Sequence, residues 1–589
     1  MSMFWTADEK IPISQTKISV PAEHGLEYSP GNKCEFHLPP SLGFFQPKES
    51  YLNLSVKISK DPTADPTRLQ LDAETGAQVL IRDVRIYSGG SGRQLLEEYQ
   101  NYNTLVALKY DYETNDTLKA KRALTEGATV FNEQQRFTTG MPNSQQNNLD
   151  QNPYFEPLPA SASFSTAWTN SSYQEVKALL PLHTGIFQND KIFPIAMTQG
   201  LVIEIIFEDA RRVFRTLDQT NRYRHLQGNP FFHSTNGSNS APDSPAANNG
   251  SQFQEFYVRR DNCQGWSADI KAFPFVVGEE VRFINASTGV DNPSIATGVT
   301  NPKIERIEYV GGTTNAIKVR LNGSYRGTNT INQSHVLYSR SVIASTTYNP
   351  TYTITNAEFV IQKVQMPQGY TNKLAQMMKS GGVMNYDFVS ATNYKISQLK
   401  SERVANLRLP LNQSRAKAVL CIPTDASASG TKELLQSSGT YITDYDLEST
   451  ASTRAWNANR SQRTGLVGCV DELTSYQMFY DGKLNPNRKV FCSKISTKNS
   501  IDQQPLIELE KGLTMGGIRP FSMMKFRENF CIARALSLQN GVYDTRGKDF
   551  ALQVEYQETA APTVDKLWMN WCVHVRRIAI SGNGITLLV

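Results

Sequence analysis

The hydrophobic pattern along this chain is mostly that of strands. KCEFHLPPSLGFF (33–45), SYLNLSVKIS (50–59) and VLIRDVRIY (79–87) are short, rich in β-branched or aromatic residues, and bounded by Pro, Gly or Asp clusters. Helical periodicity is rarer. After the glycine-rich stretch IYSGGSGRQ, residues Leu95, Leu96, Tyr99, Tyr102, Val106 and Tyr110 recur at three- and four-residue steps, which predicts a helix directly after a flexible corner. Three more helices are expected. DTLKAKRALTEG (116–127) has Asp116 as cap and Gly127 as stop, YTNKLAQMMKSGG (370–382) ends on Gly381 and Gly382, and PLIELEKGLTMGG (505–517) has Pro505 in its first turn.

Two stretches, 139–153 and 234–252, are rich in Asn, Gln, Ser and Pro and read as surface loops. Between 253 and 350 the runs FPFVVGEEVRFI, KIERIEYV and AIKVRLNGSY predict a small β module, with Asn322-Gly323 as a hairpin turn. Strand-rich sequence resumes at YTITNAEFVIQKV (352–364), so the module interrupts a larger domain.

An internal echo organises the rest. KALLPLHTGIFQND begins at Lys177 and RALSLQNGVYDTRG at Arg534; each contains Gly-aliphatic-aromatic, and each precedes a β run holding an acid, LVIEIIFED (201–209) and FALQVEYQE (550–558). With a strand-to-helix passage upstream of both, the order of elements predicts two copies of one β domain. A propeller would need four or more shorter repeats, and an immunoglobulin-like array a repeat near about 100 residues. Two eight-stranded jelly rolls in tandem, mainly β with few short helices and a β-rich insertion in the first, fit best.

Composition narrows the function classes. The chain has 589 residues, 20% of them charged, and a net charge of +5, an ordinary globular balance without the basic blocks of a nucleic-acid surface. The densest basic run, ARRVFRTLDQTNRYRH (210–225), reads as a solvated loop or interface. MSMFWTADEK lacks an apolar signal core and no window approaches 18 apolar residues, so neither a secretory signal nor a membrane span is expected. Seven cysteines (Cys34, Cys263, Cys421, Cys469, Cys492, Cys531 and Cys572) are scattered without a C-x-x-C, which predicts free, mostly buried thiols.

Candidate chemistry is sparse. The glycine corner lacks the Lys-Ser/Thr of a P-loop, since Arg93 and Gln94 follow Gly92, and Leu95 stands where the dinucleotide fingerprint needs its third glycine. None of His24, His37, His183, His225, His233, His335 and His574 has zinc-site spacing. His37 and His574 are expected in strands as core or sheet-face residues, and His183 in a turn. The adjacent acids Glu97 with Glu98 and Glu279 with Glu280 read as solvated pairs, DTRGKDF (544–550) as a charge-balanced turn, and WMNWCVHVRR (568–577) as a strand with Trp571, Val573 and Val575 on one buried face. No catalytic, cofactor-binding or metal residue is assigned, and no enzyme activity is expected.

The runs MFYDGKLNPNRKV (478–490), PLIELEKGLTMGGIRP (505–520), NFCIARALSLQNGVYDTRGKDFALQVEYQET (529–559) and LWMNWCVHVRRIAI (567–580) resemble double jelly-roll major capsid proteins of Polinton-like viruses, with virophages and adenovirus hexons more distant. YSGGSGRQLLEEYQNYNTLV (87–106), LPLHTGIFQNDKIFPIAMTQGLVIEIIFED (180–209) and YTITNAEFVIQKVQMPQGY (352–370) resemble parts of the first roll. The resemblance covers about three quarters of the chain and is weakest across 212–350. It implies a homotrimeric, pseudo-hexameric capsomer of an icosahedral shell around double-stranded DNA. Partners implied are the chain itself, penton and minor or cement proteins, with no specific DNA contact. The implied location is the virion, after synthesis inside the host cell. The division that goes with it is an N-terminal arm (1–20), a first roll (21–211), a tower insertion (212–350), a closing strand with linker helix (351–375) and a second roll (376–589). The rival is a glycan- or receptor-binding β protein; a glycan-active one would want a secretory signal and a carboxylate pair in an aromatic cleft.

The wild-type protein is expected to show no ATP or GTP binding in equilibrium dialysis, and Arg93→Ala with Gln94→Ala no change. Nucleotide binding that the double variant abolishes would contradict the structural reading of the corner.

Overall fold

The computed structural model describes residues 14–588 except for internal stretches, the longest of which are 127–173, 217–229, 234–252, 260–280 and 426–465. The expected loops at 139–153 and 234–252, Cys263 and Cys469, His225 and the Glu279-Glu280 pair lie outside the described residues, as does most of the helix expected at 116–127.

The first roll is built from eight strands: β1 (Ser14–Pro21), β2 (Lys33–Leu38), β3 (Phe44–Asp61), β4 (Ile81–Ser88), β5 (Leu95–Tyr99), β6 (Gln174–Pro181), β7 (Leu201–Phe207) and β8 (Asn349–Gln365). They form two antiparallel sheets, ordered β1-β8-β3-β6 and β2-β7-β4-β5. The second roll repeats this strand for strand: β9 (Met384–Gln398), β10 (Val404–Leu409), β11 (Ala416–Asp425), β12 (Leu473–Tyr480), β13 (Lys483–Leu484), β14 (Ile532–Ala535), β15 (Phe550–Tyr556) and β16 (Lys566–Ser581). Its sheets run β9-β16-β11-β14 and β10-β15-β12-β13. Adding eight to each strand of the first order gives the second, so both units are jelly rolls with the same connectivity; outside this common set, Glu27–Tyr28 pairs with β8, Val490–Phe491 with β12 and Gly584–Leu588 with β16. The echo at Lys177 and Arg534 falls on β6 and β14, each followed by a loop and then β7 or β15.

The local reasons are those of a sandwich. In β15 the residues Phe550, Leu552, Val554 and Tyr556 are buried and alternate with less buried neighbours, placing one face on the core. Ring contacts fill the first roll, with Phe359 against Phe187 at 5.1 Å and Phe36 at 5.8 Å. Each such buried side chain contributes about 1.5–3 kcal/mol. Five of the cysteines, Cys34, Cys421, Cys492, Cys531 and Cys572, are free and buried.

Helices α1 (Tyr102–Glu113), α2 (Gln368–Lys379) and α3 (Gln503–Met515) punctuate the strands. Helices α2 and α3 end on glycines with φ of 81° and 82°, Gly381 and Gly517, and the Ile518 N–H closes the α3 terminus on the Leu513 carbonyl at 2.9 Å. The insertion between β7 and β8 holds a four-stranded sheet (residues 230–233, 253–259, 304–310 and 316–325) and a three-stranded one (281–285, 291–292 and 335–339). Phe283 joins them, lying 5.5 Å from Phe256 and 5.0 Å from Tyr325.

Strand β1 pairs with β8 from Ser14 opposite Gln365 to Pro21 opposite Glu358, β8 starts at Asn349, and α2 runs on to Lys379. Three expectations need correction. The glycine corner leads into strand β5, not a helix, because Leu95–Tyr99 finds a ladder on β4; α1 starts only at Tyr102. Asn322-Gly323 is no turn: it lies within a strand, at the point where pairing to both neighbours slips. β16 is buried on both faces over 568–574. Its inner face meets the second sheet, and its outer face lies in a sheet covered by α3, where a Cβ on Gly512 would sit 2.5 Å from the Ala533 Cβ.

His574 sits in this doubly covered strand, bonded to Thr392 Oγ1 at 2.9 Å. Burial, with Arg576 adding, pushes its imidazole down to about 3. The folded state therefore holds fewer protons on this group than the unfolded state, whose histidine titrates near 6.5. Its stabilising neutral form is fully available above that value and lost as pH falls below it. Between pH 7 and pH 5 the wild type should lose about 2 kcal/mol relative to His574→Gln. Denaturant titrations of both proteins at the two pH values test this; a constant gap would contradict it.

Candidate functional site

Among the described residues no group of three or more His, Cys, Asp or Glu is placed to hold a metal ion, and no helix is long and apolar enough to cross a membrane. Two N–H groups of the glycine corner are committed to the fold. Gly89 N–H bonds the Gly200 carbonyl at 2.8 Å, and Gln94 N–H bonds Ser88 Oγ at 2.9 Å. A Cβ on Gly89 would lie 2.1 Å from the Gln199 carbonyl oxygen, and Gly90 has φ of 88°, so both glycines serve close packing of the β4–β5 hairpin. Arg93 reaches back to His37 Nε2 (3.2 Å) and Glu35 (3.6 Å).

Those residues belong to a charged row on the outer face of sheet β2-β7-β4-β5. Glu35 stands opposite Glu204, Glu204 opposite Arg85, and Arg85 opposite Glu98. The cations hold the acids together: Lys33 lies 2.7 Å from Glu35 and 3.4 Å from Glu204, and Arg85 lies 2.8 Å from Glu204 and 2.9 Å from Glu98. Burial opposes ionisation of Glu35, but Lys33, Arg93 and His37 hold its carboxyl below the ordinary range. His37 also lies 3.3 Å from Glu23. The loop 544–550 is likewise self-contained, with Arg546 paired to Asp544 at 2.8 Å and Lys548 over the Tyr543 ring at 4.0 Å.

The densest convergence of buried polar groups is the seam between the rolls. β9 is the end strand of its sheet and pairs only with β16. Its free edge meets the first roll's β5 and the loop between β6 and β7. Asn189 Nδ2 donates to the Asp387 carbonyl at 2.9 Å, Asn393 Nδ2 to the Gln100 carbonyl at 3.0 Å, and Arg576 to the Leu96 carbonyl at 2.7 Å. Tyr386 donates to the Lys191 carbonyl at 3.2 Å, and its ring meets Phe193 edge-on at 5.2 Å. Gly185 lies so close that a Cβ there would be 2.1 Å from the Val389 carbonyl oxygen.

Glu97, fully buried, organises this contact. Its two carboxyl oxygens accept the N–H groups of Gly185 at 2.7 Å and Ile186 at 3.1 Å. Burial pushes its carboxyl above the ordinary range, while those N–H groups and Arg576 pull the other way. The sequence reading had Glu97 and Glu98 as a solvated helical pair; on strand β5 they point to opposite faces, one to the seam and one to the charged row. The alternation of a strand was the available signal, masked by the helix-like spacing of Leu95, Leu96 and Tyr99.

A second set of bonds ties α1 to the segment before β14. Asn529 Nδ2 donates to Asp111 at 2.7 Å, Tyr112 Oη donates to the Asn529 carbonyl at 3.1 Å, and the Arg519 N–H reaches Glu113 at 3.0 Å. Between the two sets lies a cavity of ≈ 550 Å³ lined by both rolls, including Lys48, Lys109, His183, Asp190, Asp387 and Arg519. Its acids are paired: Asp190 with Lys48 at 2.6 Å, Glu113 with Lys109 at 3.8 Å, and Asp387 with Arg577 at 2.6 Å. His183 bonds Tyr110 Oη at 2.7 Å. Burial, then Lys109 and Arg122, hold its imidazole well below the usual range. These groups can lock two domains together; no unpaired acid and base face each other as catalysis would need.

Gly185→Ala should lower stability by about 1–3 kcal/mol through overpacking against β9. Calorimetry should show the two rolls unfolding less cooperatively. An unchanged melting profile would contradict the seam geometry.

No protein-family model and no curated protein sequence matches the chain. Solved structures do resemble it. PBCV-1 VP54, fitted into a reconstruction of the virophage Sputnik, is 10% identical, with 100% of this chain and 99% of that one covered and a TM-score of 0.45. The Faustovirus major capsid protein is 8% identical, with 98% and 92% covered and a TM-score of 0.43. The mavirus major capsid protein is 10% identical, with 100% and 92% covered and a TM-score of 0.37. By its own strand order, this chain is a tandem double jelly roll.

Proposed function

We propose that the chain is a viral major capsid protein. On this reading it is a structural subunit without enzymatic activity. It assembles as homotrimers whose six rolls form a pseudo-hexagonal tile, and the tiles build an icosahedral shell around double-stranded DNA. The observation that carries the proposal is the repeated eight-strand order within one chain, joined by a seam that uses different surfaces of the two rolls. A head-to-tail contact of that kind closes into a ring when its rotation allows, and two equivalent rolls per chain let three chains supply six positions. The sequence resemblance to double jelly-roll capsid proteins supports the same reading.

The division that goes with it places the first roll at 14–211 and 349–365, the insertion at 212–348, α2 as linker, and the second roll from 384 onward. The insertion serves as the outer tower, penton and minor or cement proteins complete the shell, and the chain resides in the virion after synthesis in the host cell. The glycan-binding alternative gains nothing from the seam cavity, whose acids are paired.

Light scattering after size exclusion should give a single species of about three times 65.9 kDa. A monodisperse monomer at all accessible concentrations would contradict the proposal.

A further inference from the structure

The cavity between the rolls combines an apolar wall with a cation whose bonding the fold leaves incomplete. The second roll supplies Val389 on β9, Leu420 on β11, Val573 on β16 and Ile518 just after α3. Leu420, Val573 and Ile518 are buried, but Val389 stays 39% exposed. Helix α1 of the first roll supplies Lys109, whose side chain is only 21% exposed. Its ammonium has Gln188 Oε1 at 3.4 Å and Glu113 at 3.8 Å, and no closer contact among the described residues. An ammonium carries three donors, and a largely buried one without close acceptors is costly. Burial, with Lys48 adding, pulls it below the ordinary range of a lysine, while Glu113 pulls the other way.

The other acids of the cavity are taken. Asp190 lies 2.6 Å from Lys48. Asp387 accepts two bonds from Arg577, at 2.6 and 2.8 Å, and has Arg415 at 3.7 Å. Glu113 accepts the Arg519 backbone N–H at 3.0 Å, and Arg519 is exposed, its side chain without an ion pair among the described residues. Lys109 and Arg519 therefore stand beside a single carboxylate, Glu113, an excess of one positive charge.

We propose that this cavity binds a small organic monoanion with an apolar body, the anionic group bonding Lys109 and the body covering Val389, Leu420 and Ile518. Binding here is independent of how chains assemble. The volume of ≈ 550 Å³ lies within the range of about 300–1,000 Å³ typical of sites for small molecules. Charge selects the ligand: an anion completes Lys109 and cancels the excess cation, whereas a neutral molecule leaves the ammonium unbonded. An inorganic anion, conversely, leaves Val389 uncovered, so the apolar body adds to the binding. Because the walls come from both rolls, an occupant fastens the seam and stabilises the folded chain.

Fluorescence titration with two dyes tests this: 8-anilinonaphthalene-1-sulfonate, an anion on an aromatic body, and N-phenyl-1-naphthylamine, the same body without the sulfonate. The wild type should show one saturable site per chain for the anionic dye. That site should be at least about tenfold tighter than for the neutral dye, the worth of one charge-assisted bond. The anionic dye should also raise the melting midpoint. Lys109→Met should weaken the anionic dye by about tenfold and bring the two dyes level, while Lys109→Arg keeps the preference. Val389→Trp, which fills the cavity from a half-exposed position, should remove the site for both dyes. Lys373→Met, at an exposed cation on α2, should change nothing. The proposal is overturned by a wild type without a saturable site, by equal affinity for the two dyes, or by a site that Lys109→Met and Val389→Trp leave unchanged; the cavity then holds water alone. Should Lys109→Met or Val389→Trp misfold, the dye pair on the wild type and on Lys109→Arg decides: a preference for the anion in both supports the site, and its absence overturns it.

Discussion

An open sheet edge is the constraint around which this molecule is arranged. A jelly roll closes two sheets face to face but leaves end strands whose outward N–H and C=O groups need partners. In the second roll that strand is β9, and the chain satisfies it with its own first roll. Asn189 takes the place of a neighbouring strand's donor at the Asp387 carbonyl, and Asn393, on β9 itself, reaches across to the Gln100 carbonyl. Glu97 then holds the covering loop in position by accepting two of its N–H groups. Such bonds are worth about 0.5–1.5 kcal/mol each, and leaving the buried carboxyl group without them would cost about 1–3 kcal/mol. The seam therefore tolerates little: a glycine where no Cβ fits, and a carboxylate whose two acceptor oxygens are both committed.

In this arrangement the polar groups that stand out chemically are committed to structural bonds. The acids around the seam cavity are neutralised by Lys48, Lys109 and Arg577, and His183 is kept neutral by burial and by cations nearby. On the first roll, Lys33 and Arg85 spread their charge over Glu35, Glu204 and Glu98, and so hold together two acids, Glu35 and Glu204, that stand opposite each other across the strands.

Much of the fold was legible in the sequence because the jelly roll repeats. The Lys177 and Arg534 stretches mark the same strand–loop–strand passage between the two sheets of each roll. Paired glycines after α2 and α3 were readable because a left-handed residue at a helix end has few alternatives. What stayed hidden depended on tertiary context. Leu95, Leu96 and Tyr99 fit a helix by spacing but become a strand because β4 offers a ladder. Glu97 reads as solvated until the loop 88 residues later in the chain folds onto it. Trp571 and Val573 suggested a single buried face, since the groups that cover the other side of this sheet, α3 on β14 and β11 among them, come from sequence far from β16.

The two rolls repeat one strand order but meet through different surfaces, so the account stands or falls on whether chains continue the pattern that the two rolls begin. Electron-microscopic class averages of the purified protein measure this most directly. The account predicts a three-fold particle with six similar lobes around a closed ring, alternate lobes bearing the insertion. A two-lobed particle, or an assembly without three-fold symmetry, would contradict it.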